Sequence, residues 1–138
     1  MPALTILMRF LHILSAVTLV GGALAWRFGV IPALTSLSAD TQGKVDRAIA
    51  ASWRPFVFAA IAGLLVSGIY NFLNKTGLTP AYHAVIGVKF LLVLHVFAVM
   101  VLVCRPDNAK RARQLTGVAV SGVTIVILSA VLRWIMTV

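Results

Sequence analysis

Glutamate is absent from this 138-residue chain, and aspartate supplies all three of its acidic residues. That scarcity excludes paired-carboxylate acid and base catalysis, and no Ser, His and Asp set can form around three aspartates that cluster in two loops. Glycine-rich phosphate loops are missing as well. A single cysteine, Cys104, excludes an intrachain disulfide and a cysteine-based zinc site, and it reads as a small buried side chain at a membrane boundary. Charge of any kind is scarce, at 11% of residues against 61% hydrophobic ones and a mean hydropathy of +1.03. A water-soluble fold cannot bury that apolar fraction, so the chain is one integral membrane domain.

The net charge is +9. In a soluble protein it would suggest nucleic acid, but here the cations flank apolar runs, where they anchor to lipid headgroups, so a nucleic-acid partner is excluded. Four runs are long enough to cross a ~30 Å hydrocarbon core. They predict an all-α, integral membrane four-helix bundle with spans at about 5–31, 55–74, 81–104 and 114–136. Pro32 is expected to end the first span. Between Ser38 and Arg54 the composition turns polar, and Val45, Ile49 and Trp53 recur every four residues opposite Lys44, Asp46, Arg47 and Arg54. This predicts a short interfacial helix over about 39–53, broken from the second span by Pro55. Ala59, Gly63 and Ser67 are expected to form a seam of small residues for close helix contact.

The first and third loops with their flanks hold Arg27, Lys44, Arg47, Arg54, Arg105, Lys110, Arg111 and Arg113. The opposite side holds only Arg9, Lys75 and Arg133. Cation counting therefore turns both termini outward, in a bacterial inner membrane outside the cytoplasm. All three aspartates lie on the inner side, which leaves no carboxylate in the outer half.

Against this background the third span stands out, because Lys89 lies well inside it and His95 near its middle. An ammonium at such a depth costs roughly 2.5 to 3.5 kcal/mol and faces protein, a cavity or a ligand by default. By helical rise, His12 sits about 10 Å along the first helix from its outer end and Lys89 about 12 Å along the third. The two share a level, surrounded by Arg9, Tyr70, Asn71, His83, Arg133 and Trp134. A pocket of cations and histidine without an acid suits a flat, anionic, partly apolar ligand such as a porphyrin with propionates, or a quinone head group.

In this reading Lys89 is the candidate catalytic residue. His12 and His95 are candidate axial ligands of a b-type haem, and Arg9 and Arg133 hold its carboxylates. Positions 83, 89 and 95 point about 120° from one another, so they cannot all line one pocket, and His12 with His95 would need a tilted third helix or a tilted haem plane to be its two axial ligands. Met8 and Met100 are alternative soft ligands, and with His12 and His95 they make up the candidate site for copper handling. Bland roles stand beside these. The histidines can serve as donors that join helices, Lys89 can snorkel toward the headgroups, and Arg9, Arg133 and Trp134 can be plain anchors.

The opening LHILSAVTLVGG, the second span RPFVFAAIAGLLVSGIYNFL and the third-span segment GVKFLLVL resemble the superfamily that holds the CopD copper-resistance domain and the HemJ-type protoporphyrinogen oxidases. The HemJ resemblance implies a four-span protein that binds haem b and oxidises protoporphyrinogen IX. There His12 matches the first-span histidine proposed as a haem ligand, and Lys89 matches the buried lysine. The chain departs from that pattern at Gly87, where a histidine is expected, and in WRFGVIP at the end of the first span. The CopD resemblance implies copper binding or transport. A non-catalytic accessory subunit of a larger membrane complex, or a homo-oligomer, is the remaining expectation.

Overall fold

A computed structural model describes residues 2–136. Four long helices account for almost all of it: α1 over Pro2–Leu34, α2 over Ala39–Leu73, α3 over Pro80–Val103 and α4 over Arg111–Ile135. Each is long and apolar enough to cross a bilayer. The expected all-α four-helix membrane bundle is therefore what forms. The helices neighbour one another in a ring, α1 on α2, α2 on α3, α3 on α4, and α4 back on α1, with the α3 and α4 pair the most extensively packed. Short connections enforce this antiparallel order. Both termini emerge at one end, here called the terminal end, and loops one and three at the other, the loop end.

Local chemistry sets the helix boundaries. Ser38 caps α2 by accepting from the Thr41 amide at 3.4 Å, and Thr79 caps α3 by accepting from the Tyr82 amide at 3.2 Å with Pro80 following. Gly77, at φ 70°, makes the left-handed turn between α2 and α3 that a residue with a Cβ rarely adopts.

Two boundaries differ from those expected. Residues 39–53 are helical, but they do not form a separate helix. Instead α2 runs unbroken through Pro55, a 35-residue rod about 52 Å long. Pro55 removes one backbone hydrogen bond, and tertiary contacts hold the rod straight across it. The Ile49 and Trp53 side chains pack on the bundle core, and Asp46 is tied to α4 by an ion pair with Arg111. The second difference is in α1, which continues past Pro32 to Leu34. Two π-helical turns, Val17–Gly21 and Trp26–Val30, lie on either side of Gly22–Ala25. Such turns accommodate one extra residue and widen the helix. The first of them ends at the Gly21 and Gly22 pair, where the Trp53 indole lies so close that no side chain would fit at position 22.

The apolar core is split. A large cluster at the loop end joins Leu19, Ala23 and Trp26 of α1 with Val57 and Ala60 of α2, Val96, Met100 and Val103 of α3, and Leu115 and Val118 of α4. A second, smaller cluster near the terminal end joins Tyr82 and Ile86 of α3 with Leu132 of α4, and Phe72 of α2 packs against it. Helix α1 contributes nothing to this second cluster. Its first part, Pro2–Ala16, packs on α2, whereas only its later turns, from Val17 onward, pack closely on α4. The seam between α1 and α4 is thus closed at the loop end and loose at the terminal end.

Candidate functional site

Between the two apolar clusters lies a polar layer. Its centre is Ser67, fully buried on α2, whose hydroxyl donates to the Gly63 carbonyl at 2.5 Å. The Ser67 oxygen also stands 3.0 Å from His12 Nδ1 across the helix interface. A hydroxyl has one proton, and here the Gly63 carbonyl takes it, so toward the imidazole Ser67 can only accept. His12 therefore carries its hydrogen on Nδ1, and the neutral ring is left with a bare lone pair on Nε2. The sequence permits this arrangement because Gly63 and Gly68 lack side chains. Leu11 and Ser15 press against Gly63, and the imidazole lies over Gly68. The seam on α2 is Ala60, Gly63 and Ser67, all buried, rather than one starting at Ala59, which faces outward.

Lys89 of α3 is half-buried, and Lys75 lies in the turn that leads from α2 to α3. Lys75 itself rests its ammonium 5.0 Å from the Tyr82 ring centre. Side-chain carboxylates cannot neutralise Lys89, because the only three in the chain are engaged at the loop end. Asp40 pairs with Lys44 at 2.6 Å, Asp107 with Arg47 at 3.4 Å, and Asp46 with Arg111.

The remaining expected site residues do not converge on this layer. His95 is exposed and lies over Gly117 of α4, whereas His12 is held against α2. Met100 is fully buried among Leu19, Trp26 and Leu115 in the loop-end cluster. Met8 is half-buried one turn above His12 on the same helix, where it cannot take a position opposite His12 on one metal. Arg9 and Arg133 are exposed at the terminal end. Among the described residues no group of three or more His, Cys, Asp or Glu side chains could hold a metal ion. Met8 and His12 thus lie on the first half of α1, His95 lies against α4, and Met100 lies in the loop-end core. A b-type haem is met by one fitting ligand: His12 has its far nitrogen bare and its near nitrogen fixed by a hydrogen bond, as metal-ligating histidines do.

A second polar constellation, at the loop end, was not anticipated. Arg111, 3% exposed, pairs with Asp46 of α2 and donates to the Arg105 carbonyl, to the Val103 carbonyl at 2.9 Å and to the Pro106 carbonyl at 3.3 Å. Its guanidinium also lies 5.4 Å from the Trp26 ring centre. One side chain thereby caps the carbonyl end of α3 and joins all four helices. Asn108 assists, donating to the Leu102 carbonyl at 2.9 Å and to the Gln114 side chain at 2.6 Å. The signal in the sequence was the placing of all three aspartates, Asp40 and Asp46 by the first loop and Asp107 in the third, among runs of cations.

Compared with protein-family models, with curated proteins and with solved structures, the chain finds no match.

Proposed function

We propose that the polar layer binds a flat, partly apolar redox ligand bearing carboxylates, in the first instance a b-type haem, and that the protein serves membrane electron transfer or a HemJ-like oxidoreductase reaction. One combination carries this reading: a half-buried ammonium that no side-chain carboxylate pairs, and on another helix an imidazole held by Ser67 so that its Nε2 is bare. His12 supplies one axial ligand. Lys89 supplies the counter-charge for a carboxylate, and Arg9 and Arg133 are cations at the terminal end that a second carboxylate can reach. Bound haem would contribute one-electron chemistry, while Ser67 holds the imidazole in register and the surrounding apolar side chains exclude water. The resemblance of the first and third spans to the CopD and HemJ superfamily supports the same two residues. Cation counting supports an orientation with both termini outside the cytoplasm of a bacterial inner membrane.

The test is a reduced-minus-oxidised absorption spectrum of the full chain after gentle detergent extraction from cells with ample haem. A Soret shift that vanishes in His12→Ala supports the proposal. A flat difference spectrum from the intact protein removes haem, and equal biological function of His12→Ala and Lys89→Met proteins points to an accessory subunit instead.

A further inference from the structure

A second binding site lies at the loop end, away from the polar layer and independent of it. On α2, Arg47, Ala51 and Arg54 are spaced i, i+4 and i+7, so the three side chains leave the helix on one face, with the small Ala51 between the two arginines. Opposite them stand Cys104 and Pro106, where α3 ends. Together these five residues line an open notch of about 290 Å³. No carboxylate lines it. Arg54 forms no ion pair among the described residues, and its guanidinium rests 5.8 Å from the Phe58 ring centre. Arg47 reaches only the solvent-exposed Asp107, at 3.4 Å. The notch sits where α2 passes from its polar extension to its apolar span, which is the depth of lipid headgroups. Below it on the same face, exposed Phe58 begins the apolar part of the span.

We propose that this notch seats the phosphate of an anionic membrane phospholipid, with Arg47 and Arg54 as its cations and the apolar surface that begins at Phe58 as the bed for its acyl chains. Planar guanidinium groups bind phosphate oxygens in pairs, and a basic recess between helices at the membrane surface is suited to a charged headgroup. Ala51 matters because a larger side chain there would fill the recess without altering any charge.

The experiment uses the full chain in detergent, with phosphatidylglycerol and phosphatidylcholine offered in equal amounts and retention read by native mass spectrometry. Wild type is expected to favour phosphatidylglycerol by at least about fivefold, the contribution of one arginine near a charged headgroup. Arg54→Gln and Ala51→Leu should each bring the two lipids close to parity, and Arg113→Gln, which removes a loop-end cation outside the notch, should leave the preference intact. Ala51 is exposed, so the leucine disturbs no core packing. Preference that survives Ala51→Leu, or that falls equally in Arg113→Gln, overturns the notch in favour of diffuse attraction. Displacement of the lipid by millimolar inorganic phosphate overturns the lipid as occupant in favour of a free anion.

Discussion

Lys89 carries a charge that the chain's own side-chain carboxylates cannot neutralise, and this sets its response to substitution. Replacing it with methionine keeps the stem's packing and removes the cost of a half-buried ammonium. Lys89→Met should therefore raise the melting temperature of the unliganded protein in detergent, by about 1 kcal/mol, while weakening ligand binding. A fall in stability would mean that the ammonium has a partner supplied by the fold. Asp46→Asn should act in the opposite sense. It leaves the Arg111 guanidinium buried beside a neutral amide, and about 3 kcal/mol of stability should be lost in the same melting experiment. Cys104 gives a pH readout. Burial holds its thiol above the ordinary range because the thiolate is the form that loses solvation, outweighing the opposing pull of Arg54. Its alkylation should start to accelerate at a higher pH than that of an exposed cysteine, as measured by maleimide labelling of this single thiol.

Among the helices, the glycines divide into those that let neighbours touch and those that do not. A Cβ at Gly122 would meet both branches of Val20 at 2.8 Å, and one at Gly63 would collide with Ser15. Gly122→Ala and Gly63→Ala should each cost about 1 to 3 kcal/mol, read as lost thermal stability. Gly29 and Gly87 face open space, so alanine there should be neutral or slightly stabilising. The same elements show what could be read beforehand. Hydrophobic runs and Pro80 located α3 closely, because composition alone decides whether a segment enters lipid. The continuity of α2 through Pro55 was not legible, since it depends on Ile49, Trp53 and Asp46 finding partners on other helices. The close neighbour of Gly22, where the first π turn of α1 ends, is likewise remote in sequence: the Trp53 indole.

For the molecule as a whole, the four-helix membrane architecture was legible. What could not be read was direction. Depth along a helix follows from residue number, but azimuth accumulates error at every tilt and every π turn. His95 accordingly lies out over Gly117 and Met100 sits in the loop-end core, although both looked available to a metal. Most of the Arg111 hub was hidden because three of its acceptors are backbone carbonyls, which leave no trace in side-chain patterns, and its Asp46 partner stands on another helix.

The division of the core has a dynamic consequence. The loop-end cluster draws on all four helices, whereas the terminal-end cluster leaves α1 attached through α2 alone. Motions that swing residues 2–16 away from α4 therefore break few apolar contacts, and they leave the other half of the molecule shut. A protein built this way can breathe sideways into the bilayer, exposing its polar waist to a lipid-soluble visitor, without unfolding any of the four rods.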